Sequence, residues 1–228
     1  MKDSSVYPYN PRGKEACLRI RLKSDFHDYY DHWFAGSWQE VDLVFERFTR
    51  SGPSRPEMMD VLAGQGMCVP RYGRVRNLAS ELRGEAEVVV HLDELAHRAE
   101  GKIRCSAGYA LQSYPDCFCV EYVRSGYAGG YTLRCVCFGH RAFWLEYHSP
   151  GDWRSNVGNV SVSVLAPAFR GDGVFQDTPL WAVDYVPAGG CLYAIDFNIA
   201  PRLSGTGLEQ WVSGKEVFEE IVSFFSKG

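Results

Sequence analysis

Long apolar runs are missing from this chain of 228 residues, so no segment is suited to cross a membrane as a helix. The opening MKDSSVYPYNPRGKE has no apolar core of the kind a secretory signal needs, which points to the cytoplasm. An excess of positive charge is missing too: 24 Lys and Arg stand against 28 Asp and Glu. A net charge of −4 argues against a nucleic-acid partner held by bulk electrostatics, although a local basic groove stays open. Compact catalytic signatures are also absent. Without H-E-x-x-H, the zinc-protease reading of His91, Asp93, Glu94 and His97 fails, and no G-x-S-x-G surrounds Ser149, Ser155 or Ser204. There is no C-x-x-C knuckle either. Two C-x-C pairs, Cys117–Cys119 and Cys135–Cys137, read as small buried hydrophobes rather than zinc ligands. Internal repeats and low-complexity segments are lacking.

What the chain does have is the material for a core. Hydrophobic residues make up 46% and charged residues 23%, so one compact domain, or one domain with a small appendage, is expected. Alternating segments predict strands at Cys17–Leu22, Glu40–Phe48 and Ala86–Asp93, the last with three valines that suggest burial on both faces. A helix is expected over Glu57–Ala63, opened by Pro56 and stopped by Gly64 and Gly66. A second is expected over Cys105–Tyr114, ended by Pro115. CFCVEYV reads as a strand. TLRCVCFG and RAFWLEYHS form a hairpin around Gly139–His140, and PLWAVDYV and CLYAIDFN form another across PAGG. VSVSVL alternates, and GKEVFEEIVSFFSK closes the chain as an amphipathic helix. Runs of antiparallel strands with a few helices make the fold α+β.

The second hairpin carries the most suggestive polar residues. Asp196 and Asn198 share one face of CLYAIDFN, and Asp184 lies on the partner strand. A two-residue turn at Gly189–Gly190 pairs Asp184 with Ile195 and so points it away from Asp196. A bulge, or a loop of odd length, brings the three together. Together they make a hard-oxygen site suited to Mg²⁺ bound partly through phosphates. Apart, they are loop caps or unrelated surface acids. Arg134 stands out among the cations, because TLRCVC puts a guanidinium inside an apolar strand, where it is costly unless paired. Arg55, Lys102 and Arg154 are candidates for holding phosphate, with ordinary solvated surface charges as the plainer alternative.

LWAVDYVPAGGCLYAIDFNIAPRLSGTG resembles the carboxy-terminal metal-binding hairpin of the ATP-grasp superfamily, with Asp184, Asp196, Asn198 and Pro201 at the matching positions. Other segments follow in family order over about residues 40–210. SRPEMMDVLAGQGMCVP resembles the helix entering the nucleotide domain, with Arg55 where the family has Lys. EVVVHLDELAHRAEGKIR resembles the strand and flap that close over phosphates, with His91 at a usual Lys position and Lys102 just beyond the flap glycine, Gly101. CVEYVRSGYAGGYTLRCVCFG resembles the segment whose acidic hinge, here Glu121, Tyr122 and Val123, holds adenine, followed by a strand Arg, here Arg134. Thr132 stands where the family has an acid for the ribose. YHSPGDWRSNVGN resembles the substrate-side loop of the ribosomal-modification-type ligases, which places Arg154 and Asn156 near the acceptor or the γ-phosphate.

The resemblance implies a fold of two α+β subdomains with antiparallel sheets enclosing a nucleotide cleft. Residues 1–50 would be a reduced N-terminal region, 51–120 the flap-bearing subdomain and 121–228 the metal-binding subdomain. The implied activity is a carboxylate–amine ligase with ATP and Mg²⁺ as cofactors. Asp184, Asp196 and Asn198 would hold the metal, and Arg134 and Lys102 would steady the phosphates. Its partners would be a small-molecule or peptide carboxylate and an amine, with no membrane. A second copy of the chain could supply the missing N-terminal mass. A phosphotransferase, or a nucleotide-binding module without turnover, are the alternatives.

Overall fold

The computed structural model describes residues 54–82, 85–95, 101–168, 180–198, 201, 203 and 205–226. The expected strands at Cys17–Leu22 and Glu40–Phe48, and His97 and Ser204, lie outside the described residues.

Helix α1 (Arg55–Gly64) begins where Ser54 donates its amide and its hydroxyl to the Glu57 carboxylate, at 2.9 and 2.8 Å. Those bonds, with Pro56 in the first turn, fix the helix start. Its buried face carries Arg55, Met58, Met59 and Leu62. Next come β1 (Tyr72–Arg74) and α2 (Val75–Glu81), then β2 (Glu87–His91), β3 (Lys102–Ser106), α3 (Ala107–Ser113) and β4 (Phe118–Glu121). These four strands form an antiparallel sheet in the order β1-β4-β2-β3.

The two faces of that sheet differ. Val88, Val90 and Cys119 pack on α2 and α3 through Val75, Leu78, Ala107 and Ala110. Val89, His91, Lys102 and Val120 share the other face, because β2 pairs His91 with Lys102 and Val89 with Val120. The valine run is therefore not buried alike on both sides: Val88 and Val90 are fully covered, while Val89 lines a cleft. Residue 105, expected to begin a helix, belongs instead to β3, and α3 starts after Ser106, whose hydroxyl accepts from the Tyr109 amide at 3.2 Å.

The second sheet has five antiparallel strands: β5 (Gly130–Phe138), β6 (Arg141–Ser149), β7 (Ser161–Ala168), β8 (Leu180–Ala188) and β9 (Cys191–Asn198), in the order β7-β6-β5-β8-β9. Both expected hairpins are present. One face packs Val136, Phe138, Phe143, Leu145 and Ala182 against Leu203, Leu208 and Val217, the last from α4 (Gly214–Ser226). The other packs Cys135, Cys137, Trp181, Val183 and Phe197 against α1 and against Phe118 of the first sheet. The C-x-C pairs thus sit on different sheets, and among the described residues no cluster of three metal-binding side chains occurs. Burial pushes the Cys119 and Cys135 thiols up to about 12, which leaves them inert.

Candidate functional site

The β8–β9 register settles the geometry of the two acids. The turn is the two-residue one, pairing Ala188 with Cys191, and Tyr185 pairs with Ala194. A bulge then places Asp184 opposite Asp196, with Ile195 as the extra residue. Without that bulge the two carboxylates would lie on opposite faces. With it they stand side by side, on the face that also carries Arg134, which pairs with Asp184 across β5 and β8. Asn198, two residues further along β9, shares the face but is exposed and opposite Ala182.

Each carboxylate is met by an arginine. Arg134 donates from Nε and NH2 to the two oxygens of Asp184 at 2.5 and 2.8 Å, and its guanidinium lies 4.7 Å from the centre of the Tyr147 ring. Both partners are largely buried, with side-chain exposures of 14% and 13%. Arg55, from the first turn of α1, donates to Oδ1 of Asp196 at 2.7 Å. Burial alone would raise the Asp196 carboxyl, but Arg55, Lys102 and Arg134 overcome it and hold it below its ordinary range.

A cleft open to solvent lies between the sheets, about 840 Å³ when the open space at its mouth is counted. Its lining brings together His91, Lys102, Glu121, Tyr122, Val123, Arg154, Asn156, Asp184 and Asp196. Arg55, Arg134 and Asn198 do not line it: the two arginines approach the carboxylates from outside the cleft. One end is apolar, with Val89 and Val120 from the first sheet and Val186 and Ile195 from the second. Their place in the sequence pattern was visible as alternation, but nothing marked them as cleft walls.

The hinge closes the apolar end and is itself tightly held. The Glu121 amide donates to Arg71 O at 2.8 Å and the Tyr122 amide to Glu87 O at 2.9 Å. Arg71 also grips the Glu121 carboxylate, Nε to Oε2 at 2.9 Å and NH2 to Oε1 at 3.0 Å. Arg104 stacks 4.0 Å from the Tyr122 ring centre. Among the described residues the Val123 amide has no hydrogen-bond acceptor, so it is available to a ligand.

The opposite wall is a polar loop after β6. Asp152 accepts from the Arg154 amide at 2.8 Å and from its Nε and NH2 at 2.9 Å each. The Thr132 and Ser155 hydroxyls bond at 2.7 Å, which ties the loop to β5. Two glycines permit this approach. A methyl at Gly130 would sit 2.3 Å from the Arg154 carbonyl carbon, and one at Gly129 (φ +78°) would sit 2.2 Å from Ser149 O. Thr132 is thus tied to the loop and also lines the cleft.

His91 and Lys102 occupy the charged end of the cleft. His91 is 6% exposed and packs its ring 5.7 Å from that of Phe118. Burial, then the charges of Lys102 and Arg55, push it down to about 3, so it is neutral at ordinary pH. Burial also lowers the Lys102 ammonium, opposed by Asp196.

The donor set fits Mg²⁺. Two carboxylates stand opposite each other and an amide follows on the same face, all hard oxygen ligands. A carboxylate offers about four acceptor directions, so the arginine bonds do not exhaust either acid.

No family model matches the chain, and no curated protein matches it. Solved structures do. The D-alanine–D-alanine ligase from Bacillus anthracis aligns with a TM-score of 0.52 at 10% identity, over 79% of this chain and 70% of that one. The same enzyme complexed with ATP gives 0.50, also at 10% identity, over 79% and 68%. A looser likeness, TM-score 0.47 at 11% identity over 96% and 71%, is to a RiPP-associated ATP-grasp ligase from Chryseobacterium gregarium solved with ADP and peptides. The likeness is one of fold: the chain has the ATP-grasp fold, α+β with two antiparallel sheets.

Proposed function

We propose that this protein is an ATP-dependent ligase that joins a carboxylate to an amine through an acylphosphate. The observation that supports it most is the two-ended cleft. Its apolar end, between Val89, Val120, Val186 and Ile195, suits a planar base, with the free Val123 amide as a hydrogen-bond donor to it. Its other end gathers Lys102, Arg154, Asp184 and Asp196, which suits a polyphosphate. That is the polarity of a nucleotide triphosphate laid from hinge to hairpin.

Asp184 and Asp196, with Asn198, would hold Mg²⁺, which when bound supplies positive charge against the β- and γ-phosphates. The protein's own residues do the rest by position. The hinge orients the base, and the loop carrying Arg154, Ser155 and Asn156 borders the end where an acceptor carboxylate enters. A carboxylate oxygen attacks the γ-phosphorus, forming an acylphosphate and releasing ADP. An amine then attacks the acyl carbon, inorganic phosphate leaves with the bonding pair, and the nitrogen loses a proton. No side-chain nucleophile is needed, because binding in line supplies most of the rate. The substrates are a small-molecule or peptide carboxylate and amine.

Hydroxylamine trapping tests the reading. Incubation with Mg-ATP, hydroxylamine and pools of amino acids or short peptides is expected to yield ADP and a hydroxamate in equal amounts. ADP with a phosphorylated alcohol and no hydroxamate would make the protein a phosphotransferase instead. Nucleotide binding without any ADP release from any pool would favour a binding module.

A further inference from the structure

The hinge and the polar loop belong to different sheets, yet they meet. Tyr122 follows β4 of the first sheet, and Trp153 follows β6 of the second. Their ring centres lie 6.0 Å apart with the planes at 81°, an edge-to-face pair, and both residues line the cleft. Each ring is anchored on its own side. The Arg104 guanidinium sits 4.0 Å from the Tyr122 ring centre, and Glu87 accepts from its Nε at 2.9 Å and its NH2 at 2.8 Å. Neither Arg104 nor Glu87 lines the cleft. The Arg154 guanidinium lies 5.5 Å from the Trp153 ring centre, and Asp152 holds it. The base of the loop is tied to its own sheet separately, through Thr132 with Ser155 and through the Ser149 hydroxyl to Val157 O.

Among the described residues, no hydrogen bond or ion pair joins Glu121, Tyr122 or Val123 to the loop. The ring pair is therefore the contact by which hinge and loop hold each other. Trp153 is only half-buried and belongs to none of the apolar clusters of the described residues, so core packing does not account for it. An edge-to-face contact shifts an equilibrium by about two- to tenfold. On the nucleotide reading above, on which this inference rests, we propose that Trp153 is a positioning residue: seated on Tyr122, it fixes the acceptor-side loop against the hinge, so that a bound base and the loop are held in one arrangement. Arg104 acts through Tyr122, by keeping the seat in place. The loop's position is then felt by a ligand that carries no phosphate.

Calorimetric titration with adenosine, and with ATP and Mg²⁺, tests the assignment on the wild type, Trp153→Ala, Trp153→Phe, Arg104→Met and the double variant Arg104→Met, Trp153→Ala. Trp153→Ala is expected to weaken adenosine and ATP by the same factor, about two- to tenfold. Trp153→Phe keeps an aromatic edge and is expected to stay within about twofold of wild type. Arg104→Met leaves Glu87 paired with Arg124 at 2.7 Å and is expected to weaken adenosine by about two- to fivefold. That loss should vanish in the Trp153→Ala background, because both changes act on one contact. Adenosine is expected to change the tryptophan emission of the wild type but not of Trp153→Phe.

Wild-type adenosine affinity in Trp153→Ala would overturn the inference and leave the nucleotide reading intact. A loss for ATP alone would also overturn it, since it would assign Trp153 to the phosphate end. So would additive losses in the double variant, or the same emission change in Trp153→Phe as in the wild type. If Trp153→Ala fails to fold, Trp153→Phe and Arg104→Met still decide: wild-type adenosine affinity in Arg104→Met, or an unaltered emission change in Trp153→Phe, refutes the role. A wild type that binds neither ligand would end the nucleotide reading, and this inference with it.

Discussion

Replacing Arg134 by methionine exposes how the site is built. The guanidinium holds both oxygens of Asp184 and packs on Tyr147, and neither member of the pair is more than 14% exposed. Arg134→Met leaves the Asp184 carboxylate sheltered and unpaired, a change that costs about 3–5 kcal/mol in comparable buried pairs. For a chain of this size that is a fall in melting temperature on the order of 10 °C. The double variant Arg134→Met, Asp184→Leu removes both charges, and is expected to recover most of the loss, because the penalty lies in the orphaned charge rather than in lost attraction. Urea unfolding of the wild type, the two single variants and the double variant gives the coupling energy directly. A single variant within about 1 kcal/mol of wild type, or a double variant less stable than Arg134→Met, would refute the reasoning.

Gly130→Ala is expected to destabilise the fold by about 1–3 kcal/mol, because its methyl would meet the Arg154 backbone; the Thr132–Ser155 bond should break with it, which weakens ATP binding beyond the stability effect, read by titration below the melting point. Hydrogen bonding from Arg104, then that from Arg124, holds the Glu87 carboxyl below the usual carboxylate range against desolvation. Its contribution is therefore present above the unfolded value of about 4.3 and lost as pH falls through the lower folded value. Glu87→Gln should flatten the acid limb of a stability–pH profile below about pH 5, and a variant limb as steep as wild type would contradict the pairing.

The hairpins around Gly139–His140 and Gly189–Gly190 were legible because strict alternation bounded by glycine admits few other readings. So was α1, through Pro56 and the paired glycines. Helix α2 was not, since VRNLASE is only seven residues and owes its form to Val75 and Leu78 packing beneath β2. Strand β3 hid because KIRCS is short and runs straight into α3. At the site, residue types gave the two acids, but only the bulge at Ile195 put them on one face, and no pattern announces a bulge. The arginine partners were equally hidden: Arg55 and Asp196 are 141 positions apart, and Arg134 and Asp184 are 50 apart. Arg134 was recognisable as needing a partner, though not which one.

On the proposed function, the cleft binds ATP through a magnesium site on the β8–β9 hairpin. Calorimetric titration of ATP with and without Mg²⁺ tests it most directly, on the wild type and on Asp196→Asn, a variant that retains an oxygen acceptor for Arg55. Saturable binding that Mg²⁺ strengthens is expected in the wild type, with that gain lost in Asp196→Asn. Absence of ATP binding by the wild type in either condition, or the same magnesium-dependent gain in both proteins, would contradict it.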